Sequence, residues 1–435
     1  MASLLSDFMA SIRKTDTAGV ITTVKELRAN QFGFPLPHYA QQYLFGATGL
    51  RLGVFHSIAG APGSCKSPLL FDLMGHVCSS KDDNGLGGLG FLFELETKIS
   101  PTLFQSVLAN YGDTVHDTLL VIKDPTIEDA LTTIHKKILP MYRKNFSNNS
   151  VPLIIGIDSI GGSASKDMVD KMNKEGAVGK GFGEKSHIMK NFCENAGAII
   201  AELPVVIMCI NQEKEQISTM SYGPAQKRIT GGVSQTFKDG HMISASSMNK
   251  GKGNCRLITL KTTKTSFCDQ RKIEVEFSWN LFGTSESDSY GHKFNWALAS
   301  ARCLADPEKG VGEIRDIANV SVSDKNLVTC PQLGIRSVPP EEFEQALFAP
   351  ENSAVLDALR VYQKIEVIKD VDAYADYLKD RKGNLKELKE ELKQEGATEP
   401  TVKVTKSKVT KPKAKPKAVE VPSEPAAEEA QESLI

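Results

Sequence analysis

The sequence predicts an α/β fold, a mostly parallel sheet with helices on both faces. Three observations predict it. Short, continuously apolar segments recur through the middle of the chain, as strands buried on both sides do. Helix-patterned segments alternate with them. The first of these strands runs into a glycine-bearing turn, Gly60-Ala-Pro-Gly-Ser-Cys-Lys-Ser67, and then into a helical pattern. In that context backbone N–H groups and a positive helix end converge on a phosphate.

The elements follow in order. Leu4, Leu5, Phe8, Met9 and Ile12 recur at helical spacing, so residues 1–45 read as an N-terminal arm with a short amphipathic helix. Its apolar stripe covers either its own domain or a neighbouring subunit. The α/β core is expected over residues 46–300. Its first strand is Leu52–Ala59, and the helix beyond the turn begins near Pro68, whose missing N–H costs nothing in a first turn. Gly90–Phe93 is a strand followed by a helix from Ser100; Thr118–Ile122 is a strand followed by a helix over Ile127–Ile138. Val151–Ile157 is a third, ending in Asp158, and a helix over Lys185–Leu203 feeds the strand Val205–Ile210. Arg256–Lys264 and Lys272–Phe277 alternate in strand fashion with little helix between them, and are expected to extend the sheet antiparallel.

Residues 301–395 read as a small, partly helical C-terminal domain; Val355–Tyr362 is its clearest helix, and Asn384–Leu392 is a charged one. Residues 396–435 form a lysine- and proline-rich stretch and then an acidic one. Such a tail buries too little apolar surface to order itself and is expected to be disordered.

Bulk composition narrows the classes. A chain of 435 residues that is 40% hydrophobic can bury a large core. A net charge of −1 gives no global nucleic-acid signature, so any basic surface must be local. The eight cysteines are scattered without a close C-x-x-C pair, which argues against zinc and suits a reducing compartment such as the cytoplasm. No segment reads as a bilayer span or a secretion signal, so no membrane partner is expected.

The turn supplies the first candidate site. It fits G-x-x-x-x-G-K-[ST] at every required position except Cys65, which stands for the last glycine. A small side chain fits there if its backbone dihedrals are ordinary. Gly60, Ala61, Pro62, Gly63, Ser64 and Cys65 would cradle phosphate, Lys66 would reach the terminal phosphates, and Ser67 would hold Mg²⁺. The plain alternative is a strand–helix turn with a surface lysine.

Three more features fall at the carboxyl ends of expected strands, where open α/β sheets bind ligands. Asp158 can hold Mg²⁺ through its water shell or merely end a strand. Glu94 and Glu96, with one residue between them, would share a strand face, and one of them could polarise a water, or both could make ordinary ion pairs. Asn211 and Gln212 could sense a γ-phosphate or simply terminate a strand.

Two long segments without an assigned element follow. Residues 161–183 carry Lys166, Lys171, Lys174 and Lys180. Residues 213–230 carry Lys214, Lys227 and Arg228 with Ile217, Met220 and Tyr222 among them. Cations mixed with apolar and aromatic groups suit single-stranded nucleic acid, and mobile surface loops are the other reading.

Taken in order, Gly60–Ser67, Glu94–Pro101, Ile157–Ile160, Asn211-Gln212 and Gly231-Gly232 resemble the RecA-family homologous recombinases, most of all the UvsX-type recombinases of large bacteriophages. The resemblance covers about residues 46–277 and continues more loosely to Lys364. It implies a RecA-like P-loop ATPase core using ATP and Mg²⁺, with Lys66 and Glu96 catalytic, Ser67 and Asp158 on the metal, and Gln212 linking the γ-phosphate to the second DNA-binding loop. It implies that Lys264 reaches the ATP of an adjacent subunit, and that the two long segments bind DNA.

The chain departs from the family at Cys65; at Leu103, where an adenine-stacking tyrosine is usual and Phe104 is the neighbour; and at Thr262, where a second lysine is usual and Lys261 is adjacent. The implied activity is DNA-dependent ATP hydrolysis coupled to strand exchange by a helical filament of this chain on single-stranded DNA, paired with duplex DNA. The implied location is the cytoplasm, that of the host if a phage encodes the chain. Single-strand-binding and loader proteins become candidate partners. A ring helicase on the same core, or a non-hydrolysing scaffold, are the competing readings.

Overall fold

The structure, a computed structural model, describes residues 33–46, 49–80, 87–96, 98–123, 126–146, 151–175, 184–216, 226–229, 239–248, 255–266, 269–280, 291–305 and 317–363. The chain divides into two compact units, Met1–Lys389 and Glu390–Ile435. The expected helix near the N-terminus, the charged helix over Asn384–Leu392 and the tail lie outside the described residues.

A large mixed sheet organises the first unit. Its parallel part comprises β3 (Val54–Gly60), β4 (Leu89–Glu94), β5 (Leu119–Lys123), β6 (Leu153–Asp158), β7 (Val205–Gln216) and β9 (Asp239–Met248). The spatial order is β9-β3-β7-β6-β4-β5. Beyond β9, the strands β10 (Cys255–Thr265) and β11 (Lys272–Asn280) continue antiparallel, as expected from their alternation, and β12 (Gly291–Phe294) adds an antiparallel strand that the sequence reading did not include.

Side chains on the central strands alternate between two apolar layers, which is why the strands read as continuous apolar runs. Ile58, Ile154, Val206, Met208 and Ile210 face one layer, shared with the helix α2 (Lys66–Ser79). Phe55, Leu153, Ile155, Ile157, Val205, Ile207 and Cys209 face the other, shared with α5 (Ile127–Thr133), α6 (Leu139–Phe146) and α8 (Glu184–Ile200). The local signals for these helices are in place. Ser100 caps α3 (Pro101–Leu108) by accepting the Leu103 N–H, the short α4 (Thr114–Thr118) follows, and Thr126 caps α5 by accepting the Asp129 N–H at 3.2 Å.

Residues 33–46 pack on this core through β1 (Gly33–Phe34) and α1 (Tyr39–Phe45); β1 pairs with β2 (Leu50–Arg51). They also meet the C-terminal part. Glu344 accepts the Tyr39 N–H at 3.0 Å and the Ser300 hydroxyl at 2.5 Å, and lies 2.6 Å from the His38 ring. The helix α9 (Trp296–Ala305) runs across residues 300–301. After it come a small sheet, β13 (Ser321–Val322), β14 (Val328–Cys330) and β15 (Ile335–Val338), and helices α10 (Pro340–Leu347) and α11 (Ser353–Tyr362). Tyr39 is part of this region's apolar cluster.

Four sequence expectations change. Residues 161–183 are not a loop throughout: α7 (Lys166–Glu175) forms there, with Ser165 accepting the Met168 N–H at 3.3 Å. Residues 213–230 are not structureless either. β7 continues to Gln216 and pairs antiparallel with β8 (Gln226–Ile229), so Glu213–Gln216 and their partners form a hairpin. Asn211 and Gln212 therefore lie inside a strand rather than after one. Strand β9, buried and central, was not anticipated. Among the described residues no helix is long and apolar enough to cross a membrane.

Candidate functional site at the carboxyl edge of the sheet

Strand order places the site. After β3 the chain passes through α2 and crosses β7 and β6 to reach β4. The register then sets Gly60 beside Gln212 and Glu94 beside Asp158, so the carboxyl ends of β3, β7, β6 and β4 lie in one row. This is the edge at which crossings of an open sheet leave a crevice.

The turn after β3 is shaped by close approach. A Cβ on Gly60 would collide with the Ala245 carbonyl and come within 2.7 Å of the Ser64 hydroxyl. Cys65, at the start of α2, has φ 58° and ψ 32°, the left-handed region. The condition of ordinary dihedrals is thus not met, and a side chain there costs about 1–2 kcal/mol relative to a right-handed residue. Burial pushes the Cys65 thiol up to about 11, against the opposing influence of Arg256 and Lys66.

Lys66 is 8% exposed. Its ammonium donates to the Ala61 carbonyl at 2.7 Å and reaches the Ser64 hydroxyl at 3.4 Å. Burial lowers its pKa, while Asp158, Glu96 and Glu213 pull it back up. The Ser67 hydroxyl lies close enough to Asp158 to favour its charged form. Burial raises Asp158 to about 6, with Ser67 and Lys66 working against the rise and Glu96 and Glu94 adding to it. The peptide bond between Asp158 and Ser159 is cis.

The two glutamates separate. β4 ends at Glu94, so they do not share a strand face as expected. Glu94 turns inward: it accepts the Ile99 N–H at 2.8 Å and stands 3.6 Å from Lys123. Glu96 lies past the strand end. Its Oε1 accepts the Gln212 side-chain amide at 2.9 Å and the Ser159 hydroxyl, and Lys98 is 3.5 Å from its other oxygen. A Cβ on Gly162 would collide with the Glu96 carboxylate, so a glycine is needed for that approach. Glu96, Gln212, Asp158, Ser67 and Lys66 thus belong to one linked cluster.

The hydroxyl and carboxylate pair of Ser67 and Asp158 suits a hard cation that keeps most of its water and takes its remaining ligands from phosphate. Among the described residues no group of three or more His, Cys, Asp or Glu side chains could hold a metal unaided.

Other expected site residues fall elsewhere. Lys264 pairs with Met242, which lies opposite Ser57. That is three positions back from Gly60, about 10 Å along the strand, so within one chain Lys264 is set back from the turn. Thr262 is buried and donates to the Arg271 carbonyl at 3.2 Å, while Lys261 is exposed. Phe104 packs edge-on against Phe71, ring centres 4.8 Å apart, and Leu103 is half-buried beside the same layer.

Lys166 is held by Asp129 at 2.5 Å. Lys174 is exposed on α7 and Lys171 lies on the same helix. Lys214 and Arg228 are opposite one another in the hairpin, next to the pair Glu215 and Lys227. Lys180, Met220 and Tyr222 lie outside the described residues.

Sequence reasoning missed three neighbours of the turn. Arg256 and the Ser247 hydroxyl each donate to the Gly63 carbonyl at 3.2 Å. Glu213, held by the Ser244 hydroxyl at 2.8 Å, lies within electrostatic reach of Lys66. Only the alternation that keeps Arg256 out of the apolar layer carried any hint. No family model matches the chain, and no curated protein gives a significant match.

Proposed function

We propose that this chain is an ATP-dependent DNA recombinase with a RecA-like core, assembling as a helical filament on single-stranded DNA and exchanging strands with homologous duplex. One observation carries the reading. Lys66, the Ser67–Asp158 pair and the Glu96–Gln212 pair meet at the carboxyl edge of adjacent strands, with the backbone turn Gly60–Ser67 beside them.

Each residue then has a task. The turn would wrap the phosphates of ATP, and Lys66 would exchange the Ala61 carbonyl for a phosphate oxygen. Ser67 and Asp158 would hold Mg²⁺, which screens phosphate charge. Glu96 would take the proton of the water that attacks the γ-phosphorus as the bond to ADP breaks. Catalysis of this kind is positioning and electrostatic stabilisation.

Gln212 lies one residue before the hairpin and touches Glu96, so a change at the phosphate would pass directly into the strand bearing Lys214. The hairpin cations and the lysines of α7 are the proposed DNA contacts; Lys166, engaged by Asp129, contributes least. Lys264 would act on a neighbouring subunit's nucleotide, in keeping with its distance from its own turn. A head-to-tail contact that does not close generates a filament.

The test is ATP binding, DNA-stimulated phosphate release and electron microscopy on single-stranded DNA, with Lys66→Ala beside the unaltered chain. Expected are ATP-dependent filaments that Lys66→Ala abolishes. Filaments unaffected by the substitution refute the nucleotide site; closed rings refute the recombinase in favour of a helicase.

A further inference from the structure

Cys65 sets a physical problem that the nucleotide reading leaves open. The residue before Lys66 must sit in the left-handed region, yet it carries a side chain. Left alone, the turn would leave that conformation, since the usual preference against it corresponds to roughly 5- to 30-fold in population. Something outside the turn must hold it.

The structure shows what does. The ends of β9 and β10 that run past the turn present Ser247 and Arg256. The Ser247 hydroxyl and the Arg256 guanidinium each donate to the Gly63 carbonyl at 3.2 Å. The guanidinium also lies close enough to the Cys65 thiol to oppose the rise of its pKa. A peptide's carbonyl and N–H lie on opposite edges of its plane. Anchoring the Gly63 carbonyl outward therefore turns the Ser64 N–H inward, where it meets the Ala61 carbonyl at 3.3 Å. That carbonyl is also the one to which Lys66 donates. The brace thus fixes the orientation of a backbone donor inside the turn and the residue that breaks the glycine pattern, both at once.

We propose that Arg256, helped by Ser247, is a positioning residue that pre-organises the Gly60–Ser67 turn for a nucleoside triphosphate, standing in for the conformational freedom that glycine would give at position 65. It acts through the Gly63 carbonyl and the Cys65 side chain, not by touching the reacting atoms. The inference rests on the nucleotide reading of the turn.

The experiment measures Mg–ATP dissociation constants, KM and kcat on the full chain, with melting temperature alongside. Arg256→Ala is expected to weaken Mg–ATP binding and raise KM by about tenfold, with kcat at saturation changed by less than threefold, because a lost charged hydrogen bond lowers the population of the competent turn. Arg256→Lys, which keeps charge but not the planar fork, is expected to recover part of the loss. The deciding measurement is the same substitution in a Cys65→Gly background, where the loss shrinks to about twofold.

An Arg256→Ala chain that binds Mg–ATP as the unaltered chain does, while Lys66→Ala does not, overturns this inference and leaves the nucleotide reading standing. A loss of equal size in both backgrounds overturns it as well. If neither the unaltered chain nor Lys66→Ala binds, both readings fall. Should Arg256→Ala not fold, Ser247→Ala and Arg256→Lys test the same brace, and unchanged affinity in both overturns it.

Discussion

Glu96 and Glu94 are two carboxylates with one residue between them, and replacing each by glutamine gives opposite results if the geometry is read correctly. In Glu96→Gln the side-chain oxygen can still accept from Gln212 and Ser159. What is lost is charge: its attraction for Lys98, whose side chain is 77% exposed while that of Glu96 is 14% exposed, and for Lys66, offset by relief of its repulsion of Asp158. An ion pair open to solvent on one side contributes about 1 kcal/mol, so the melting temperature should fall by no more than roughly 4 °C. Turnover should fall by about 100-fold or more, the usual contribution of a positioned proton acceptor.

Glu94→Gln removes a charge that is 3% exposed and that holds the Ile99 N–H at 2.8 Å. It should cost about 1 kcal/mol of stability and leave turnover within about threefold. The assay is steady-state phosphate release with saturating ATP and single-stranded DNA, paired with thermal unfolding of each variant. Glu96→Gln turning over within threefold of the unaltered chain, or Glu94→Gln losing the larger factor, would refute the assignment of the base.

Three other outcomes follow from the same geometry. Asp158 has a folded pKa of about 6, above its unfolded value of about 3.8, so its burial penalty is fully present above pH 6 and disappears below about pH 4. Asp158→Asn should therefore raise the apoprotein's unfolding free energy at pH 8 by on the order of 1–3 kcal/mol, a gain that vanishes by pH 4, while abolishing Mg²⁺-dependent nucleotide binding; equal stabilities at pH 8 would contradict the burial account. Gly60→Ala should cost about 2 kcal/mol in chemical denaturation, because its methyl group meets the Ala245 carbonyl, and a neutral result would mean that the β9 backbone yields. Single-stranded DNA affinity should fall linearly with log salt, and Lys227→Ala should reduce the slope by about 0.7, as one phosphate contact does; an unchanged slope removes the hairpin from the interface.

The legible parts of the chain were those where one physical demand dominates. β6 and the first half of β7 are buried on both faces, a demand that an apolar run meets directly, and Asp158 stands out because it ends one; β3 meets it with apolar residues around the buried His56 and Ser57. The helices expected from Ser100 and from Ile127 do start there, capped by Ser100 and Thr126. Strand β9 escaped because its burial is carried partly by polar groups. Asp239 accepts from Ser57, and His241 stacks on His56 with ring centres 5.3 Å apart. A sequence shows Asp and His there, not the partners from β3 that make them fit.

Helix α7 escaped because lysines and glycines around it suggested a loop, although Ser165 was a usable cap signal. Pairing Glu94 with Glu96 failed for a different reason. Alternation holds only within a strand, and this strand stops at the first of the two.

Burial of a charged group does not by itself pick out a site. Asp72 is also buried and also raised to about 6 by that burial. Yet each of its oxygens accepts from a neutral donor, Tyr111 at 2.6 Å and Trp296 at 2.9 Å, which ties α2 to the chain after α3 and to α9. Its polarity is used up in holding elements together. Asp158 is different in kind. Its partner is the hydroxyl of Ser67 in the first turn of α2, and the nearby charges are Lys66, Glu96 and Glu94. Within the same few residues lie a buried ammonium drawn onto a backbone carbonyl and a left-handed cysteine. Each is unfavourable locally, and the two apolar layers of the sheet supply the stability that tolerates them. Several such costs converging on one crevice, rather than any one of them, single out the carboxyl edge of β3, β6 and β7 as the candidate site.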